Sequence, residues 1–247
     1  MRTLVITGRV ARQLLRDHRF LAFSIMAPLL ITYFLKITID ALTPVGRAGV
    51  YDSLVMPVVA CIVFFLGYVL CVLALVRERT TFTLNRMFVN GYRRGEVILG
   101  YLLGFTGLAT LQAILAISEA YYIFKLSYSP STLAALFLVV WLLALVSLSL
   151  GILVSNAART EGQVVPFIPL VLLPSLFLSG TLTGGVSALP GWAQVVSHLI
   201  PLRYASDSIT GLVKGQSLVE VRGSLACLLV YGVTLLVLAA LTLREIE

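Results

Sequence analysis

Leu54 to Val76 reads LVMPVVACIVFFLGYVLCVLALV, a run without a single charge. A hydrocarbon core about 30 Å thick is crossed by about 20 mostly apolar residues wound as a helix, so this stretch suffices by itself. Leu133 to Val154 is a second uncharged run of the same kind. Four further runs, over residues 20–39, 97–118, 164–183 and 224–243, bring the expected spans to six. The fifth is interrupted by Pro166, Pro169 and Pro174 and runs into the glycine-rich stretch Gly180 to Gly185. It reads as a kinked span leading into a re-entrant or surface segment, since neighbouring helices or a cavity satisfy backbone groups freed by proline.

Composition points the same way. Of 247 residues, 59% are apolar or aromatic and 12% are charged, with a mean hydropathy of +1.01. A soluble domain is about half apolar and about a quarter charged, so too few polar residues are present to cover a water-soluble globule. Disorder and a disulfide scaffold are excluded by the apolar content and by only three cysteines. Cys61, Cys71 and Cys227 fall inside expected spans and read as packing residues. The expected fold is an all-α integral membrane protein with one domain over residues 1–247.

Arginine and lysine set the orientation. Arg2, Arg9, Arg12, Arg16 and Arg19 precede the first span, and Arg77, Arg79, Arg86, Arg93 and Arg94 lie between the second and third. Arg159 and Arg244 fall on the same side, and the other six basic residues are spread over longer stretches. Both termini are therefore expected in the cytoplasm, and the net charge of +7 reads as topology and attraction to anionic lipid rather than nucleic-acid binding. The first apolar run is too long for a cleavable signal peptide, and it contains Pro28.

Residues 1–19 form the pattern of an amphipathic helix. Its five arginines fall within about 100° of one another at 100° per residue. Leu4, Ile6, Val10, Ala11, Leu14 and Leu15 fill the other side, with Val5 the one misfit. Such a helix lies in the headgroup plane, with Arg9, Arg12 and Arg16 toward phosphates and its leucines toward acyl chains.

The loop over residues 77–96, from Arg77 to Glu96, combines a charged start, an apolar knob of Phe82, Leu84, Met87 and Phe88, and a glycine break. An apolar knob flanked by charges is a docking site for a partner, or a helix end resting on the bilayer; residue chemistry leaves both open. The loop resembles that of the ABC type 2 exporter permeases. There a Glu-Arg, a Gly-Thr-Leu-Glu-Arg and a later Pro precede a Glu that opens the third span. Glu78-Arg79, Thr83-Leu84, Arg86 and Glu96 match, while Phe82 stands for the Gly, Asn85 for the second Glu and Gly91 for the Pro. Leu178-Ser179-Gly180, Pro190, Trp192 and Pro201-Leu202-Arg203-Tyr204 follow in the family's order.

The resemblance implies a permease domain whose loop contacts a separate ATP-binding subunit through Glu78, Arg79, Phe82, Thr83, Leu84, Arg86, Met87 and Phe88. It also implies an external segment over 184–222 that gates the exit, with Leu178, Ser179, Gly180, Pro190, Trp192, Pro201 and Tyr204 at the gate. Two permeases, expected as a homodimer, would pair with two ATP-binding cassette subunits that carry ATP and magnesium, in the cytoplasmic membrane of a prokaryote.

The chain has no Walker A sequence of its own, because Lys36, Lys125 and Lys214 follow Leu35, Phe124 and Val213 rather than glycine. His18 and His198 are too far apart for a zinc-protease motif. No cofactor or metal is expected on this chain. Lys36 and Asp40, four residues apart, and Glu119 lie near outer span ends and are expected to snorkel to the interface beside Tyr121 and Tyr122; the other reading is a substrate or ion site. Gly100 and Gly104 form a GxxxG, a signal of close helix approach within or between subunits. The cargo expected from apolar spans and short outer loops is amphipathic, drug-like or lipid-linked. An ion-coupled transporter would show repeats and mid-membrane polar groups, and a lipid-modifying enzyme a cluster of acids, bases or metal ligands; neither signature is visible.

Overall fold

The computed structural model describes residues 2–42 and 48–243. Among them all regular structure is helical, in the order α1 (Arg2–Arg16), α2 (His18–Leu42), α3 (Ala48–Thr80), α4 (Thr83–Val89), α5 (Arg94–Ile123), α6 (Pro130–Ser155), α7 (Glu161–Val164), α8 (Phe167–Leu178), a 3₁₀ turn (Val186–Ala188), α9 (Gly191–Ser197), α10 (Pro201–Val213) and α11 (Arg222–Thr242). Six segments are long and apolar enough to cross a membrane: Phe20–Ala41, Leu54–Thr80, Arg94–Ile123, Pro130–Ser155, Glu161–Leu178 and Arg222–Thr242. The protein is an all-α, multi-pass membrane protein.

Helix is the enforced conformation here, because a spanning segment must satisfy every backbone polar group internally. Local signals trim the ends. Pro130 occupies the first turn of α6, where no N–H is needed, and the Ser129 hydroxyl accepts from Thr132 N–H at 3.2 Å. Glu96 accepts from the Arg93 N–H at 2.8 Å and closes the start of α5.

Spans α3, α5 and α6 form the centre, with Val59, Phe64, Phe105, Leu136 and Leu143 fully buried among them. Helix α10 packs into the same centre through Leu202 and Ile209. Spans α2, α8 and α11 are largely uncovered. Helices α3 and α5 have 33 and 30 residues, about 50 and 45 Å at 1.5 Å each, so they outrun the hydrocarbon. Their arginine-bearing ends, Arg77 and Arg79 on one and Arg93 and Arg94 beside the other, carry α4 between them.

The fifth span departs from its expected limits. Helix α8 has 12 residues and stops at Leu178, not 183. Gly180 ends it with φ +78°, and a Cβ there would lie 2.6 Å from Val186 N, so only glycine permits the reversal. Pro166 and Pro169 sit at the start of α8, where the first turn needs no donors. Expected positions 47 and 244 lie outside the described residues.

The apolar side of α1 is divided between the protein and the surface. Ile6, Val10 and Leu14 are buried against the protein, and Leu4, Val5 and Leu15 are exposed. The partner is α5: Gly100 and Gly104 receive Ile6 and Val10, whose side chains lie 2.6 Å from where a Cβ on each glycine would be. The GxxxG is thus a seam within one chain.

Candidate functional site

The arginine-rich end of the helix bundle gathers side chains from five helices. Arg9 of α1 reaches inward to Glu78 at the end of α3, with Nη2 donating to Oε2 at 2.5 Å. The Glu78 side chain is 7% exposed and that of Arg9 33%. Tyr101 of α5 lies 3.5 Å from the same guanidinium. Burial alone would lower the Arg9 pKa, but the hydrogen bond and charge of Glu78 hold it above its ordinary value. Arg9 is therefore a structural cation paired inside the protein, whereas the sequence placed it on the headgroup stripe with Arg12 and Arg16.

Arg79, one residue on, bonds Asn156, the residue that ends α6. Asn156 Nδ2 donates in turn to Ala239 O and Thr242 Oγ1 of α11, both at 2.9 Å. The Glu78-Arg79 dipeptide thereby ties the end of α3 in two directions, to α1 and to α6 with α11. Arg2, at the other end of α1, donates to Gly91 O at 2.6 Å and lies over the Tyr92 ring. Helix α1 thus grips both the start and the finish of the α4 loop. Arg9, Arg12 and Arg16 together line a cleft of ≈ 790 Å³ with Gln13, Asp17, His18 and Arg77.

Helix α4 divides the expected knob. Leu84 and Met87 are buried at 3% and 7% exposure, and Phe88 is half-buried. They anchor α4 to its own chain, because i, i+3 and i+4 spacing puts them on one helix face. Phe82, Arg86 and Val89 point outward, and Thr83 is half-buried. Val89 was missed because it lies at the polar end of the run, where residue type does not tell which way it faces.

At the opposite end of the bundle, the segment between α8 and α11 is held by polar contacts. Ser179, which follows Leu178, bonds Thr181 at 2.7 Å, and Thr181 donates to Ser206 at 3.3 Å, all three buried. Arg203 Nη1 donates to Ser197 Oγ at 2.6 Å and to Gln194 O at 3.2 Å. Tyr204 and Tyr231 both donate to His198 O, at 3.1 and 2.9 Å. Pro201 is buried at the start of α10, while Pro190 and Trp192 are exposed. Arg203, Ser206 and Tyr231 were not singled out by the sequence; Arg203 stood unused inside the Pro-Leu-Arg-Tyr match. Lys36 is half-buried and Asp40 exposed near the outer end of α2. Glu119 does not snorkel: it is 8% exposed within the bundle, because it faces α2 rather than the interface.

A family model described as the ABC-2 type transporter matches residues 1–213. The chain belongs to the ABC-2 type transporter family. Among its relatives, ABC transporter G family member 20 of Dictyostelium discoideum is 28% identical over 76% of this chain and 26% of that protein. A probable multidrug ABC transporter permease, YbhR of Escherichia coli strain K12, is 25% identical over 64% of this chain and 42% of that protein. Nodulation protein J of Rhizobium meliloti is 30% identical over 61% of this chain and 56% of that protein. The chain spans 26% to 56% of these relatives' lengths.

In this ABC-2 family chain, Phe82 occupies the place where the family pattern has glycine, and its backbone explains the pattern. Phe82 takes φ 57° and ψ 19° before α4, a left-handed conformation that costs a residue with a Cβ about 1–2 kcal/mol. The side chain is 65% exposed, so burial recovers little of that cost. Phe82→Gly is expected to raise stability by about 0.5–1 kcal/mol, since glycine's own entropy loss takes back part of the gain. Thermal melting in detergent would show it as a higher midpoint; a lower one would mean that the ring makes stabilising contacts.

Proposed function

We propose that this chain is the transmembrane permease subunit of an ATP-driven exporter. It moves an amphipathic, drug-like or lipid-linked substrate out of the cytoplasm. Energy comes from a separate ATP-binding cassette subunit, which carries the ATP and magnesium. Two permeases, as a homodimer, pair with two such subunits in the cytoplasmic membrane of a prokaryote, with the arginine-rich end and both termini in the cytoplasm.

The observation that carries the reading is α4. A seven-residue helix joins the arginine-bearing ends of two spans longer than a hydrocarbon core requires and shows Phe82 and Val89 outward. Its roots are tied to α1, α6 and α11 through Glu78 and Arg79. A push on α4 is delivered to four helices at once, which is what a coupling helix requires. On this reading Ser179, Thr181 and Arg203 hold the outer segment as the exit gate. The relatives' multidrug description supports a drug-like cargo.

The test is a pull-down of the tagged chain from its native host in mild detergent, with ATPase activity assayed. Recovery of a Walker-type subunit in one-to-one ratio is expected. Recovery of the chain alone would favour the ion-coupled alternative. Phe82→Ala with Val89→Ala is expected to insert normally and to reduce stimulation of the partner's ATPase about tenfold, the loss of an exposed apolar anchor pair. Normal stimulation by that variant would remove α4 from the coupling role.

A further inference from the structure

Two buried polar side chains within the spans face each other, and neither closes to within hydrogen-bond distance of any group among the described residues. Neither carboxyl oxygen of Glu119 on α5 is bonded, nor is the Thr32 hydroxyl on α2, among the described residues. Thr32 faces Glu119 across the α2–α5 seam. Other threonines in these helices return their hydroxyls to the carbonyl four residues back, as Thr38, Thr106 and Thr110 do. Thr32 does not.

The seam has a second polar pair that is satisfied. Gln112 Nε2 donates to Ser24 Oγ at 2.9 Å. Thr32 lies eight residues beyond Ser24 and Glu119 seven beyond Gln112, about 12 and 10.5 Å further along two parallel helices. The two pairs are therefore rungs of one ladder, the inner closed and the outer open.

A carboxylate in a low-dielectric interior is held only by positive charge or by donors aimed at its oxygens. Among the described residues the helices around it supply none. Helix α6 has no ionisable side chain, α11 offers only Arg222, Cys227 and Tyr231, and the described outer half of α3 only Cys61. Helix α1 meets α5 at the far, arginine-rich end. Lys36 lies one turn beyond Thr32 on α2, and no ion pair joins it to Glu119.

We propose that Glu119, with Thr32, is a binding site for an organic cation in the half of the membrane away from the arginine-rich end. A hard metal ion is disfavoured because it takes six or more oxygens, and the pair offers three, with buried Pro28, Ala116 and Ala120 within a turn on the same two helices. A quaternary or phosphonium centre needs one counter-charge and apolar surroundings, and the seam offers both. Helix α2 is covered on one side only, with Phe23, Leu30 and Phe34 exposed, so parting it from α5 disturbs little of the core. That such a cation is cargo rests on the exporter reading; that it binds does not.

The experiment is equilibrium binding of tetraphenylphosphonium and of tetraphenylborate, matched in size and opposite in charge, to the purified full chain in detergent. Saturable binding of the phosphonium alone is expected. Loss of the charged partner in Glu119→Gln should weaken it about tenfold or more, while Glu119→Asp retains most of it. Thr32→Val, isosteric and uncharged, should weaken it several-fold and serves if the Gln variant does not fold. Absence of saturable binding, equal binding of both ions, or wild-type affinity in either the folded Gln variant or the Thr32 variant would overturn the site. No nucleotide or partner is present, so failure here leaves the exporter reading standing. Conversely, phosphonium binding by a chain that recruits no ATP-binding subunit would keep the site and remove that reading.

Discussion

Gly104→Leu is expected to unseat α1 from α5 and to cost about 3 kcal/mol, the upper end for overpacking a closed contact. A Cβ at this position would lie 2.6 Å from Val10 Cγ1 and 2.7 Å from Val10 Cβ. Neither atom can retreat, because Val10 is β-branched on a helix whose neighbouring turn, at Ile6, is equally close to Gly100. Relief comes only by moving the whole helix, and α1 then withdraws Ile6, Val10 and Leu14 together. It also pulls Arg9 from Glu78 and Arg2 from the Gly91 carbonyl. Thermal melting and thiol labelling of a cysteine at Val10 would report the change: a lower midpoint and rapid labelling are expected. A protected thiol with an unchanged midpoint would show that the seam is soft.

Arg9→Ala is expected to destabilise more than Glu78→Ala, by about 3–5 kcal/mol against about 1–2 kcal/mol. The asymmetry follows from burial. Removing Arg9 leaves the Glu78 carboxylate, 7% exposed beside Tyr101, without the cation that pairs it. Removing Glu78 leaves a guanidinium that is one-third exposed and turns to water or lipid phosphate. The double variant should recover most of the Arg9→Ala loss, since the stranded charge is gone. Unfolding measurements on the four proteins give the coupling energy directly. Strictly additive costs would mean that the two residues act separately and that α1 is held by its apolar contacts alone.

Much of the architecture is legible in the residues. The spans follow from apolar runs because the membrane leaves helix as the available answer, and the observed limits lie within a few residues of the expected ones except at α8. There the uncharged stretch continues past Leu182, but the chain reverses at Gly180. Hydropathy sums over a window and does not register one backbone angle. The family match also survives at coarse grain: the Glu-Arg, the Leu-Ser-Gly and the Pro-Leu-x-Tyr all fall at joints between helices.

The sites are less legible. Residue type groups Phe82, Leu84, Met87 and Phe88 into one apolar knob, yet Leu84 and Met87 face inward while Phe82 and Val89 face outward. Arg9, Arg12 and Arg16 share a stripe on the wheel, but Arg9 is drawn aside by Glu78, 69 residues away. Glu119 near a span end reads as a snorkelling residue until α2 is seen to cover it. Number and helicity of the spans are properties of single segments, fixed by the solvent that each must satisfy, and residue order determined them. Which face of each helix is covered, which charge is paired and which is left alone depend on pairs of residues far apart in the chain. Only the packing of the helices on one another decided those, because a buried charge takes its character from whatever happens to stand opposite.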